Sequence, residues 1–587
     1  MHELTYLEPD TGPRPKNGTA SGARLAAASV AAFFFSLAFL FALAPGAPFT
    51  KELGVCESGA VRSVLSGHII LPYYQPGRMV EVPPLYQWAA ALAARAFGWN
   101  EIALRLPSLL AGAATCAILF LWLAATVDVG AGGFALVALL TSRYLSDAAR
   151  QPRMDAMLAM FVTGAVVCLE RALASAETRR RAGFLAGAAV LMGLATLTKS
   201  FLGLVLPGLV VALYLATRRR IRELFRPGLI AAFGAGLAVA LIWYAAALVK
   251  DGEAFFRYQI AVTLWRRFTG AEDACNHPSY YFFPRLLGGF LPWSLYFPAL
   301  AAALWLGRRA LSEQVLFAAC WFVAIFGFFS SSAGKCQVYI LPAFPPIAAL
   351  TGWLFQERIS GRLKWRSALG LFDFASAAVA VAVAAAVIVT LALAMNGAPA
   401  WLLARMHHTD RRFLTILLGM AREATAAFVL WAGGWIVAAA AVLLTFHRRP
   451  ALGCAAIGAI ALAGTFIWFG ALNPALAREQ TLKPFARVVD ATVPPGNTVY
   501  YVGPTDCDLA FYADRRIWTV RHFSCRPGSD HDGRYFLFWQ DRFASISARS
   551  RACIETLSES RPVDSHGRRL LVERLIGADR EMGANEK

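Results

Sequence analysis

Apolar runs of roughly 20 residues recur along most of this 587-residue chain, and they decide what solvent it folds in. They lie near 25–44, 106–126, 131–146, 154–170, 183–198, 201–217, 228–249, 287–306, 313–330, 337–354, 373–395, 425–446 and 452–472. In a bilayer the backbone must satisfy its own hydrogen bonds, so only helices and closed barrels can span it. These runs are continuously apolar rather than alternating, which selects helices. With 58% hydrophobic and 16% charged residues, the composition is not that of a soluble protein. The expectation is an all-α polytopic membrane protein with about thirteen transmembrane helices.

The charges set its orientation. A formal net charge of +19 could mean nucleic acid, but the arginines and lysines sit in short loops between spans. With the amino terminus cytoplasmic, Arg179 to Arg181, Arg218 to Arg220 with Arg222, Arg308 and Arg309, the basic stretch 358–366, and Arg448 and Arg449 all fall on the inside. No nucleic-acid partner is expected; membrane lipids are. The first run is too long for a signal peptide and no small-residue cleavage site stands out, so it is expected to stay as a span. An odd number of spans leaves the carboxyl-terminal region in the periplasm, the chain being a multi-pass protein of a bacterial inner membrane. The ten cysteines show no CxxC metal spacing.

The outside segments have a different character. The first, 46–104, carries two expected interfacial helices, 58–65 and Leu85–Phe97, and between them the run 79–88. There Glu81 is followed by Pro83 and Pro84, which forbid a helix through it, and Tyr86 and Trp88 suit a membrane–water interface. The segments 250–286 and 396–424 read as loops, the second with Arg405, His407, His408 and Asp410. From about residue 478 the pattern changes. Alternating runs such as 498–502 and Tyr535–Trp539, bounded by Pro-Gly and Asp-Gly turns, predict a small soluble α/β domain. The chain thus divides into a transmembrane domain, 1–477, and a periplasmic domain, 478–587. Of Cys507, Cys525 and Cys553 in the tail, two can pair in an oxidising compartment.

Charged residues at the ends of spans are costly unless they face water or a partner, so each is a candidate. Glu52 and Glu57 follow the first span; either carboxylate is a candidate general base, against the bland reading of a solvated loop face. Asp155 opens an apolar helix just after Arg153, where stabilisation of the helix dipole is the bland reading. Lys199 and Lys335 are candidate phosphate-binding point charges, with snorkelling as the default. Arg78 precedes Glu81. Glu81 with His277 is a weak candidate for a divalent metal ion. No Walker A loop and no glycine-rich strand–turn–helix is present, so no nucleotide cofactor is expected and any donor comes from the lipid phase.

Read in order, these pieces resemble the GT-C-fold glycosyltransferases that use lipid-linked sugars, especially the bacterial aminoarabinose (lipid A) transferases and the protein O-mannosyltransferase superfamily. The matching pieces are Glu81-Val-Pro-Pro, Arg153-Met-Asp155, Leu197-Thr-Lys199, His277-Pro-Ser-Tyr-Tyr followed by Leu291-Pro-Trp, and Ser332-Ala-Gly-Lys335 leading to Tyr339-Ile-Leu-Pro342. Two departures stand out. An acidic pair expected after the first span is here Glu52 and Glu57, and a lysine expected after the motif glutamate is Val82, for which Arg78 can substitute.

The resemblance implies an inverting glycosyltransferase that moves a sugar from a polyprenyl-phosphate carrier to a lipid, glycan or protein acceptor. Asp155, Glu57 and Glu52 would be its catalytic acids. Lys199, Lys335, Arg78, Arg153 and Tyr339 would bind the donor phosphate, and Glu81 and His277 a divalent ion. Two rivals use the same charges: a transporter of a lipid-linked saccharide, and a non-catalytic assembly subunit. The absence of a repeat argues against the first. The concentration of acids and bases in the first half argues against the second.

Overall fold

The computed structural model describes residues 22–575 except 45–46, 51–52, 76–77, 81, 257–276, 310, 362–365, 407, 424, 446–448, 504–506, 515–516, 521–522, 524–533 and 561–568. Every one of the expected apolar runs has a helical counterpart. Among the described residues 9 helices are long and apolar enough to cross a membrane, and up to 12 if each bent pair counts as one span. The shorter apolar helix Leu202–Thr217 takes the remaining expected place. The chain is therefore a multi-pass helical membrane protein.

Three expected spans are bent rather than straight. Val129–Leu140 and Arg143–Arg150 meet at 63°, Ser279–Gly289 and Trp293–Leu306 at 111°, and Phe413–Glu423 and Phe428–Leu444 at 95°. At the first bend the cause is local. Ser142 takes an extended backbone and its side chain accepts from the Leu145 N–H, so the chain restarts a helix with a fresh cap. The segment expected as a loop at 396–424 instead forms helices Ala400–Arg405 and His408–Glu423. Alternation of Leu, Ile and Met with charged residues gives the second of these an amphipathic face, which the loop reading overlooked.

The bundle core is aromatic. Trp293, Trp321, Tyr296 and Phe355 are fully buried, with Trp293 and Phe355 ring centroids 5.4 Å apart. Phe34, Ile242 and Leu430 lie on the outer surface, as lipid-facing side chains should. Helix Asp155–Ala174 sits centrally, packed along both Glu101–Thr126 and Thr178–Lys199.

The last span, Pro450–Phe466, runs through a π-helical turn, Ile467–Leu472, into helix Asn473–Gln480, and helix Lys483–Thr492 follows. Beyond it lies a five-stranded sheet ordered 517–520, 499–502, 535–539, 570–575, 554–559. The first three strands are parallel and the last two antiparallel to their neighbours. The expected alternation of buried and exposed residues is overturned: Val499–Val502 and Tyr535–Trp539 are buried throughout. They are central strands covered on both sides. Val499, Tyr501, Leu537 and Trp539 pack on Phe485 and Val489 of the preceding helix and on Leu509. Tyr500, Val502, Phe536 and Phe538 pack on Ile554, Phe523 and Phe543.

This small domain is fastened to the first loop. Helix Cys507–Tyr512 presents Phe511 to Phe49, their centroids 4.7 Å apart. Trp99 Nε1 donates to the Phe511 carbonyl at 3.1 Å, and the Phe49 N–H donates to the Tyr512 hydroxyl at 2.6 Å. A disulfide joins Cys56 to Cys507 across 451 residues of sequence. Cys553 is disulfide-bonded as well, so the tail's cysteines are used in an unexpected way: one of them reaches back to the membrane domain.

Candidate active site

Where the first loop, the start of helix Asp155–Ala174 and the end of helix Thr178–Lys199 meet, five of the expected side chains come together. Asp155 is 4% exposed. Its Oδ2 accepts from Arg153 Nε at 3.2 Å, and its Oδ1 accepts from Lys199 Nζ. Asp155 stands in the first turn of its helix, where its charge favours the dipole, and its carboxylate is in addition held by the two cations. Lys199 Nζ also lies 4.6 Å from the centroid of the Tyr339 ring, a cation–π contact. Snorkelling does not describe Lys199: its ammonium is turned inward to an acid.

Local backbone fixes that position. Helix Thr178–Lys199 ends at Lys199 because Ser200 adopts a left-handed backbone, φ 67°, which a helix cannot continue. The next helix then folds back so tightly that a Cβ on Gly203 would run into the backbone of Ala195 and Thr196. The lysine is thus held at the tip of a narrow helical turn. Arg153 is held by its backbone: its N–H donates to Ser108 Oγ at 3.3 Å, and Ser108 Oγ donates to its carbonyl at 2.8 Å.

Glu57 completes the cluster. It is the first residue of helix Glu57–Leu65 and is 6% exposed, so the solvated-loop reading fails. Gln87 Nε2 donates to Oε2 at 2.5 Å and the Tyr74 hydroxyl to Oε1 at 3.1 Å. Burial pushes its carboxyl up to about 7. The hydrogen bonds from Gln87 and Tyr74 oppose that rise, the Asp155 charge adds to it, and the Arg153 charge opposes it. Tyr74 reaches Glu57 because its strand lies directly on the helix: a Cβ on Gly59 would meet the Tyr74 carbonyl oxygen.

Lys335, four residues before Tyr339, is a second buried cation. It is 3% exposed and not snorkelling; Nζ donates to the His277 carbonyl at 2.8 Å and to that of Ser332. The turn Gln337–Ala343, which carries Tyr339, lies against helix Asp155–Ala174. The His277 ring stacks on Tyr281 with centroids 4.0 Å apart. Glu52 and Glu81 lie outside the described residues, as does the side chain of Arg78. Among the described residues no group of three metal-ligating side chains gathers, and His277, stacked on an aromatic ring, is the single described donor of its expected pair.

Several partners were not foreseen. Gln87 and Tyr74 hold Glu57, and the Cys56–Cys507 bridge stands one residue before it. A glutamine on the otherwise apolar face of Leu85–Phe97 was the available signal for Gln87. Tyr86, expected at a membrane interface, is fully buried with its hydroxyl donating to the Leu104 carbonyl at 2.7 Å. It is a core residue because its hydroxyl finds a partner inside.

Comparison with known proteins extends the picture. Residues 81–248 match the model of the dolichyl-phosphate-mannose-protein mannosyltransferase family. An undecaprenyl phosphate-alpha-4-amino-4-deoxy-L-arabinose arabinosyl transferase 1 of Pseudomonas fluorescens is 31% identical over 307 residues, covering 51% of this chain and 53% of the relative. A corresponding transferase 2 of Proteus mirabilis is 30% identical over 326 residues, covering 54% and 57%. The chain spans about half the length of the curated relatives it matches. The crystal structure of ArnT from Cupriavidus metallidurans, bound to undecaprenyl phosphate, superposes with a TM-score of 0.71 at 21% identity, over 94% of this chain and 98% of that one. The GT-C fold read from the sequence is the fold of this chain, and its resemblance to the aminoarabinose transferases is borne out.

Proposed function

We propose that this chain, folded as ArnT is, transfers a sugar from a polyprenyl-phosphate carrier to a lipid, glycan or protein acceptor at the periplasmic face of the inner membrane. The observation that carries this reading is a buried Asp155 paired with Arg153 and Lys199, with a second buried carboxylate, Glu57, from a separate segment near enough to feel the Asp155 and Arg153 charges. A carboxylate poised near neutrality beside a fixed ion pair suits a general base next to a site for a leaving phosphate.

The acceptor oxygen attacks the anomeric carbon of the sugar and forms a new C–O bond. The bond from that carbon to the lipid-phosphate oxygen breaks, and its electron pair leaves with the phosphate. For a hydroxyl acceptor the proton goes to Glu57, which near pH 7 has a substantial ionised fraction. Asp155 orients Lys199 and Arg153, and these cations with Lys335 and Arg78 stabilise the charge growing on the phosphate. Tyr339 holds Lys199 by its cation–π contact. One displacement inverts the anomeric centre. Glu52 stays in this reading as a second acid at the acceptor. Glu81 and His277 are the pair we assign to a divalent ion, whose charge would also oppose that of the phosphate; dialysis against a chelator, with turnover followed before and after Mg²⁺ or Mn²⁺ is returned, tests it. No step above depends on it.

We further place the amino terminus in the cytoplasm and the domain 478–587 in the periplasm. Two observations support this. The strongly basic loops lie at the opposite ends of the spans from Asp155 and Lys199, and disulfides at Cys507 and Cys553 belong to an oxidising compartment.

The deciding experiment incubates purified protein with a panel of polyprenyl-phosphate sugars and follows release of free polyprenyl phosphate by mass spectrometry. Release by wild type that Asp155→Ala abolishes is the expected result. Intact donor throughout, with lipid-linked sugar crossing liposome membranes, would replace the transferase by a transporter.

A further inference from the structure

An open cavity of about 500 Å³ lies where the small domain meets the bundle. Its charged and polar lining is Glu101, Arg105, Arg478, Thr481, Lys483 and Arg487, with residues 47–48 at one wall. Four of these side chains are cationic and one is acidic. Glu101 already accepts from Lys483 Nζ at 2.6 Å and from the Tyr512 hydroxyl at 3.1 Å. Positive charge is therefore in surplus across the lining.

The floor is rigid. Arg105 is 4% exposed, donates to the carbonyls of Ala44 at 2.9 Å and Ala47 at 2.7 Å, and its guanidinium carbon lies 4.6 Å from the Phe49 ring centroid. The rim is open, with Arg487 exposed. Two helices begin here, Glu101–Thr126 and Lys483–Thr492, so the positive ends of both dipoles add to the field. At the second of these the Lys483 N–H donates to Thr481 Oγ1 at 3.2 Å, so what that end offers a ligand is field rather than open amides.

Position narrows the ligand. Residues 47–48 follow the first span, Glu101 opens another, and Arg478 and Thr481 lie at the end of, and just past, helix Asn473–Gln480, which continues the last. The cavity thus stands level with the ends of three spans, the depth at which lipid phosphates lie. Its volume admits a phosphate together with a polyol or sugar. It is also distinct from the reacting cluster. Ser108, which fixes Arg153, is two turns along the same helix from Glu101, roughly 10 Å by helical rise.

We propose that this cavity binds the phosphate of a membrane-lipid headgroup, at a site separate from that of the donor phosphate. The source is either a bulk anionic phospholipid or a phosphorylated glycolipid acceptor; the recognition chemistry is the same.

The test reads binding by native mass spectrometry and needs no turnover, so it stands apart from the transfer reaction. Wild type and the double variant Arg478→Gln, Arg487→Gln are released from detergent with phosphatidylglycerol, phosphatidylcholine or a phosphorylated disaccharide glycolipid. Wild type should retain phosphatidylglycerol or the glycolipid about tenfold better than phosphatidylcholine, and the double variant should lose that preference. Loss confined to phosphatidylglycerol names the phospholipid as source; loss confined to the glycolipid names the acceptor; loss of both names the shared phosphate. Lys483→Gln is the second variant should the double one fold poorly, with the Cys56–Cys507 bridge, scored by thiol labelling, as the check on folding. Equal retention in wild type and variant, or no preference over phosphatidylcholine, overturns the proposal.

Discussion

The two ends of the central helices carry most of their charge differently. At one end, Asp155 and Lys199 are paired with side chains only 6% and 12% exposed. At the other, Arg180 and Glu177 pair at 76% and 54% exposure, and Arg218 and Glu313 pair half in the open, with the Tyr214 hydroxyl also donating to Glu313; Glu170, paired with Arg171 and bonded by Trp122, is the buried exception there. Exposed pairs exchange with water and contribute little. A buried pair depends on both members, because removing one leaves the other charge desolvated. The Asp155–Lys199 pair carries a desolvation cost that stability alone does not repay, which is why we place the reaction there.

That contrast can be broken by paired substitutions. The largest effect is expected from Asp155→Ala, with turnover down about 10³-fold, while Glu313→Ala stays within about twofold; similar losses in both would erase the distinction. Next comes Glu57→Gln, with a loss of about 10²-fold. Wild-type turnover should climb as pH rises through about 7, and that limb should vanish in the variant.

The same residue makes a stability prediction of defined sign. Its folded value of about 7 lies above its ordinary 4.5, so the folded form holds the extra proton between them. Stability from this group is full below pH 4.5 and is lost as pH rises toward 7. Glu57→Gln should therefore melt later than wild type at pH 8 and not at pH 4, measured by thermal unfolding in the same detergent. A smaller effect, about tenfold on turnover, is expected on reducing the Cys56–Cys507 bridge or on Cys507→Ser, because the helix bearing Glu57 loses its tether. The smallest is Glu177→Gln, expected to change melting by no more than ~0.5 kcal/mol.

What the chain disclosed beforehand follows the same divide. Apolar runs are written contiguously, so the spans were legible one by one, and Asp155 and Lys199 stood out because ions at apolar helix ends are expensive. Glu57 could not be separated from Glu52 by any local rule. Its burial depends on Gln87 and Tyr74, and on a strand that lies over Gly59. Tyr86 misled because an aromatic hydroxyl suits an interface and a buried carbonyl equally well. The sheet misled in the same manner: Tyr535–Trp539 has hydrophobic residues on both faces, and only the tertiary cover shows that both are needed. Lys335 was legible as a charge but not as one enclosed by carbonyls from two segments.

The bridge from Cys56 to Cys507 has a consequence in time. A ribosome moving at roughly 5–20 residues per second takes roughly 20–90 s to pass from one cysteine to the other. Throughout that interval the clasp on the first loop is still unmade. The bundle can insert, but the acid beside Cys56 is not tethered until the last domain has been made and has closed on it. A chain truncated before Cys507 therefore keeps its first loop without that tether.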